Sequence, residues 1–329
     1  HIYTRSRQSD RFESYRPDSL EYGFDDSGLF DSGSSLVPHP EVNNPVLTRD
    51  DIDDCWARFV ADPFVVHDGT LYHLFFEIKS MGGHVFIGHA YSENGLDYTY
   101  NRIVLQPETA QHTYPHVFNV DDSWKLIPSP GSNVTGQFRI YESINFPTEW
   151  TLDSIPIEDD VRLDPTPILY EDTLYLIYQE VDSYEVVLAY ADELSGPWQT
   201  HPDSPLFRPD IEQIKRCQIG SAEMVPSGRP LYCEDGIHVF YRSHVARELY
   251  HYRITELTRE TFEQEQATDE PVFARRPAER WNGRFMHSVN PVYPWLQSKP
   301  IVAVDGRPEE RYRWAIGSDT VADEASAAN

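Results

Sequence analysis

The sequence predicts an all-β protein, a five-bladed β-propeller, on three observations. A proline-marked hairpin recurs five times, its copies are rich in aromatic and β-branched residues, and helical periodicity is scarce. The units are DPFVVHDGTLYHLFFE from Asp62, YPHVFNVDDSWKLIP from Tyr114, DPTPILYEDTLYLIYQE from Asp164, RPLYCEDGIHVFYRS from Arg229 and NPVYPWLQSKPIVAVDG from Asn290. Their prolines, at 63, 115, 165, 230 and 291, are spaced by 52, 50, 65 and 61 residues. Each interval has room for four short strands, the size of a propeller blade.

Each unit reads as a strand, an acidic turn and an aromatic-rich return strand. HVFIGHAYS and YTYNRIVL supply further strands after the first hairpin, and YEVVLAYAD and WQTHPDSPLF after the third. ELTRETFEQEQ, residues 256–266, is either a short turn of helix or a fourth strand with its loop. Proline cannot donate to a ladder, so each proline is expected at the first residue of its strand.

Residues 1–45 are polar, with Ser, Asp and Gly clusters, and are expected to form a mobile or wrapping arm. The propeller is expected over 46–318 and a disordered tail over 319–329.

The 329 residues carry a net charge of −27, and only four of the 27 basic residues are Lys. An acidic surface almost free of lysine predicts adaptation to high salt, where screening removes the self-repulsion. The same charge excludes nucleic acid as a partner, because phosphates are repelled. No apolar run is long enough for a membrane span. The opening residues show no apolar signal core. Cys55, Cys217 and Cys233 lack the spacing of a zinc site or a disulfide framework, so a reduced, cytoplasmic setting is expected. Oligomeric state is not legible.

In a propeller the first strand of each blade lines the central channel. The residue before each unit's proline then takes the same place in all five blades: Asp62, Tyr114, Asp164, Arg229 and Asn290. None is aliphatic, whereas a packed parallel core asks for Val or Ile. Singly, an Asp before Pro caps a turn. As a set, the five predict a solvated funnel that holds a polar ligand. Two carboxylates facing one cavity suit glycoside chemistry, with one acting as base or nucleophile while another protonates the leaving oxygen. Glu223, in the loop before the fourth unit, could hang into the funnel, and Glu77 and Glu180 end return strands. Trp56, Tyr114, Trp281 and Trp295 are candidate sugar platforms or core residues. His112 and His116 lie near the channel, and His287 could hold an ion or orient a carboxylate. No metal or cofactor is required, although a channel ion such as calcium is allowed.

The run NPVLTRDDIDDCWARFVADPFVVHDGTLYHLFFEI, with TYPHVF, INFPTEW, LDPTPILYEDTLYLIY, ADELSGPWQTHPDSPL and SGRPLYCEDGIHVF, resembles the N-terminal propeller domain of glucosamine inositolphosphorylceramide transferases and their bacterial relatives. The resemblance runs from about residue 45 to about 306. That domain is itself distantly similar to glycoside hydrolase families 43 and 32. The resemblance implies that Asp62 is the base or nucleophile, that Asp164, within Arg162-Leu163-Asp164-Pro165, tunes a pKa and holds substrate, and that Glu223 is the general acid. Glu223 stands out of register with the other units, since Arg229 holds the slot equivalent to Asp62. Three functions follow as expectations. The first is a glycoside hydrolase. The second is a non-catalytic glycan or glycolipid-headgroup module. The third is a sugar transferase or phosphorylase in which Arg162 and Arg229 hold phosphate. The expected partner in each is a carbohydrate or glycoconjugate.

Overall fold

The computed structural model describes residues 42, 45–106, 111–120, 123–130, 137–157, 162–180, 183–209, 224–233, 236–243, 246, 248–272, 285–292 and 302–307. Most of the predicted arm, all of the predicted tail, Glu223, Trp281 and Trp295 lie outside them.

Among the described residues the first sheet contains β1 (Ala57–His67), β2 (Tyr72–Ser80), β3 (Val85–Ser92) and β4 (Thr99–Leu105), paired in that order. The second pairs β5 (His112–Val120), β6 (Ser123–Pro130), β7 (Phe138–Asn145) and β8 (Glu149–Ile157). The third pairs β9 (Arg162–Tyr170), β10 (Thr173–Glu180), β11 (Val186–Ala191) and the short β12 (Gln199–Thr200). In the fourth, β13 (Met224–Pro226) and β14 (Leu231–Cys233) both pair with β15 (Gly236–Ser243), followed by β16 (Leu249–Leu257) and β17 (Phe262–Gln266). Two strands, β18 (Phe285–Pro291) and β19 (Val302–Arg307), make a fifth sheet. Four blades and a two-stranded sheet are therefore described, where five full units were expected. ELTRETFEQEQ takes the strand alternative, as the end of β16 and the whole of β17.

The strands form because their side chains alternate between two buried faces. Along β10, Leu174, Leu176 and Tyr178 pack against Phe118, Ile127 and Phe138 of the second sheet. Tyr175 and Ile177 between them pack against Val225, Val239 and Tyr241 of the fourth. The same logic sets Val66, Phe75 and Ile87 against Val117 and Leu126, and Val65, Phe76 and Ile78 beside Val292, which follows β18. The core is thus divided into wedges between consecutive sheets, which makes the arrangement a propeller rather than a sandwich. Each fully buried side chain of this size contributes roughly 1.5–3 kcal/mol, so the wedges dominate the stability.

The ring closes where Gly228, between β13 and β14, bridges Val289 of β18. The Val289 N–H donates to the Ser227 carbonyl at 3.0 Å. A Cβ on Gly228 would sit 1.7 Å from the Val289 carbonyl oxygen, and φ there is +138°, so only glycine fits.

Three of the five prolines do not start their strands, whereas Pro230 directly precedes β14 and Pro291 ends β18. Pro63, Pro115 and Pro165 lie inside β1, β5 and β9, where pairing skips between Ala61 and Phe64, between Thr113 and His116, and between Leu163 and Thr166. Each X-Pro pair occupies a β-bulge, and the bulge dispenses with the N–H that proline lacks.

Candidate functional site

The bulges fix the backbone of the residues before proline. Asp62, Tyr114 and Asp164 have φ of 52°, 47° and 52°. Left-handed backbone at a non-glycine costs on the order of 1–3 kcal/mol, and a residue before proline ordinarily stays extended. The wedge packing sustains this strain at the same register in three successive sheets, and it turns each side chain toward the axis.

Two layers of contacts follow, recognisable because they join sheets that are not neighbours. One layer is sealed. Tyr114, from the second sheet, accepts the Gly228 N–H at its hydroxyl at 2.5 Å, and that hydroxyl also lies 3.0 Å from Thr166 Oγ1. The Arg229 guanidinium lies 5.7 Å from the Phe64 ring centroid and donates through Nη2 to the Val117 carbonyl at 2.8 Å. Asn290 accepts the Arg229 N–H at 2.9 Å. All three residues are buried. The solvated funnel of five polar residues is therefore corrected: Tyr114, Arg229 and Asn290 plug the axis instead of lining a well. The fifth sheet explains Asn290. Its bulge falls at His287, between Met286 and Ser288, so His287 takes the projecting position.

The second layer is the candidate site. His287 Nδ1 lies 2.8 Å from Asp62 Oδ1 and 3.1 Å from Asp305 Oδ2. Asp305 Oδ2 also accepts the Asp62 N–H at 3.2 Å, and its Oδ1 accepts the Ser288 hydroxyl at 2.6 Å. Glu77 of β2, buried, pairs with Ala61 beside Asp62 and feels the Asp62 carboxylate. Arg242 of β15 lies 3.6 Å from Asp164 Oδ2 through Nη2, and donates through Nη1 to the His287 carbonyl at 3.2 Å. The Asp164 N–H donates to Ser129 Oγ at 2.9 Å. Carboxylates from the first, third and fifth sheets thus meet an imidazole and a guanidinium.

Openness differs within this layer. The Asp164 side chain is 21% exposed, whereas that of Asp62 is 3% exposed. Of the two carboxyls, Asp164 is the more accessible and Asp62 the deeper.

Burial sets the proton affinities. It pushes Glu77 well above the usual carboxylate range, and the Asp62 carboxylate adds to the effect. Burial also raises Asp164; Arg242 opposes this, and Asp62 reinforces it. For His287, burial and Arg242 favour the neutral ring, but the carboxylates of Asp62 and Asp305 prevail and lift it to about 9. Asp305, which burial alone would raise, is held below its ordinary value by the imidazolium and by the Ser288 and Asp62 donors.

Ligand atoms of Asp62, His287 and Asp305 lie within 4.8 Å of one another, a separation that a cation can span. Nδ1 is hydrogen-bonded to Asp305 and within ion-pair distance of Asp62 Oδ1, an arrangement that suits an imidazolium. A protonated ring nitrogen suits calcium poorly, since calcium takes oxygen ligands.

Asp62, Asp164, Glu77 and His287 are brought together. Arg162 opens β9 opposite Glu180, and its side chain is outside the described residues, as is all of Glu223. His112 is buried against the Tyr141 hydroxyl at 2.7 Å, and His116 is buried beside Phe64. Trp56 is a surface residue, 87% exposed. Sequence reasoning missed Asp305 and Arg242. Asp305 ends the fifth unit, in VAVDG, and nothing in its local pattern marks it.

The family described as "Glucosamine inositolphosphorylceramide transferase 1, N-terminal" matches residues 26–307. Curated proteins named glucosamine inositolphosphorylceramide transferase 1 are similar to the chain. One from Oryza sativa subsp. indica is 26% identical over 84% of this chain and 36% of its own length. Another, from Arabidopsis thaliana, is 29% identical over 50% of this chain and 22% of its own. The chain therefore spans about a third or less of the relatives it matches. Among solved structures, beta-1,2-mannobiose phosphorylase from Listeria innocua aligns with a TM-score of 0.60 at 11% identity, covering 80% of this chain and 92% of that one. A glycosyl hydrolase from Bacteroides ovatus aligns at 0.58 and 12%, covering 83% and 93%. Identities this low show a shared propeller fold alone. The match over residues 26–307 assigns the family itself: the chain belongs to the glucosamine inositolphosphorylceramide transferase 1, N-terminal family.

Proposed function

We propose that the well binds a glycan and acts on its glycosidic bond, with Asp164 touching the sugar and Asp62 serving as base or nucleophile from the deeper layer. In this reading the two-stranded sheet is the fifth blade, and Glu223 keeps the acid role that the family resemblance implies. The observation that carries the reading is the meeting of Asp62 and Asp164 with Arg242 and His287, on a backbone strained at the same register of two sheets. A carboxyl placed beside others of raised proton affinity is what acid–base work on a glycosidic oxygen needs. The relatives are named as transferases, and the fold neighbours include a hydrolase and a phosphorylase. Water, phosphate or a second hydroxyl are therefore the acceptors to compare, and glucosaminides belong among the sugars.

The test is turnover of aryl glycosides and oligosaccharides in molar salt, in water alone, with inorganic phosphate, and with an alcohol acceptor. Asp62→Asn and Asp164→Asn should each lower turnover by about 100-fold or more. Undiminished turnover in either variant refutes the assignment.

A non-catalytic glycan module is the second reading. It is favoured by the sealing of Asp62, which is 3% exposed and already paired. Saturable sugar binding with no turnover under any acceptor selects it.

A further inference from the structure

Asp305 stands apart from the residues whose roles the family resemblance implies. It is on β19, it does not precede a proline, and its side chain is only 15% exposed. Yet it makes three directed contacts within one small volume. Oδ2 accepts from His287 Nδ1 at 3.1 Å and from the Asp62 N–H at 3.2 Å, while Oδ1 takes the Ser288 hydroxyl at 2.6 Å. Asn290 Nδ2 donates in turn to Ser288 Oγ at 3.1 Å, so the plugged axis braces the serine. One carboxylate thus fixes both the imidazole that faces Asp62 and the backbone that carries Asp62.

We infer that Asp305 is a positioning residue, which clamps the His287 ring and the Asp62 main chain together so that the Asp62 carboxylate is held in one place as half of an ion pair. The consequence for function rests on the proposed glycan chemistry, but the clamp does not. Asp62 Oδ1 lies 2.8 Å from His287 Nδ1, whose hydrogen bond goes to Asp305, so the ion pair and the Asp305-anchored main chain together set its orientation. The groups facing His287 are Asp62 from β1, Asp305 from β19 and Arg242 from β15, with Glu77 and Asp164 further out. All four carboxylates favour the cationic ring by position, and Asp305 is the one that also accepts a hydrogen bond from Nδ1. Its loss should loosen the ring and the Asp62 main chain together.

The experiment follows the His287 imidazole of the full chain by NMR across pH 5–11, in wild type, Asp305→Asn and Asp305→Glu. Wild type should titrate near 9. Asp305→Asn should fall by about 1–2 pH units, and Asp305→Glu should restore part of the shift. If the domain turns over or binds a glycoside, the alkaline limb of its pH profile should move down with Asp305→Asn by a similar amount. A merely structural residue would lower the melting temperature and leave both titrations unmoved, which overturns the inference. So does a wild-type His287 titrating at or below its ordinary value, a readout that needs no variant to fold. Absence of any sugar binding sinks the proposed function and leaves the NMR result to decide the clamp.

Discussion

Asp62 and Asp164 share one backbone conformation: φ is 52° at both, each precedes a proline, and each sits at a bulge in the first strand of its sheet. Strain of this kind persists where the surrounding packing over-determines it, and it gathers at functional sites. The two residues therefore invite a test that separates backbone from side chain. Asp164→Gly relieves the left-handed strain but deletes the carboxylate, and Asp164→Asn keeps a residue type that tolerates this conformation. Asp164→Ala keeps neither advantage. Thermal melts should rank Gly and Asn above Ala by about 1 kcal/mol, while all three lose glycan turnover. Equal stability of the three would show that the backbone is not strained at this position.

Alkaline pH should weaken the fold through His287. Its folded proton affinity, about 9, exceeds its ordinary value, so its contribution is fully present below about 6.5 and is lost as pH rises through about 9. Asp164 and Glu77 are raised as well and act in the same direction from lower pH. Asp305 is lowered and acts oppositely, losing its contribution only in acid. The melting temperature should fall between pH 7 and pH 10, with His287 accounting for roughly 2–4 kcal/mol, and His287→Gln should flatten that fall. A pH-independent melt over this range would count against the ion pair.

The plugged axis makes a separate prediction. Tyr114→Phe removes the hydroxyl that accepts the buried Gly228 N–H, and should cost about 1–3 kcal/mol while sparing sugar binding. Gly228→Ala should cost about 3 kcal/mol or more, because the added Cβ meets main chain rather than a side chain that can swing away. Denaturant melts of the two variants measure both. A Tyr114→Phe protein that is stable but blind to sugars would return Tyr114 to the binding surface.

Salt should stabilise the chain. With a net charge of −27, added NaCl screens self-repulsion, and the melting midpoint should climb by about 2–4 °C or more between 0.1 M and 2 M. A flat response would make the acidic composition ordinary.

Much of this arrangement was legible in the sequence, and the reasons for the rest are physical. Hairpins such as DPTPILYEDTLYLIYQE show their strands because alternation and turn residues are local signals. The convergence of Asp62 and Asp164 follows from the repeat. What stayed hidden depends on pairing across strands. The bulge gives Asp164 and Tyr114 the same backbone, so their different surroundings come from the strands packed against them, which the X-Pro dipeptide does not show. Asn290 looked like the fifth member of the set, but the skip in its sheet falls three residues earlier, at His287. Asp305 and Arg242 lie on return strands, where no motif singles them out.

Asp62 and Asp305 are 243 residues apart in the chain, yet one hydrogen bond joins them. At translation rates of 5–20 residues per second, Asp62 leaves the ribosome roughly 10–50 s before the residue that anchors it. Every truncated product ending before β19 carries the first carboxylate without its clamp. The well is thus finished last, and an intact site certifies that synthesis has run at least to the strand that completes it.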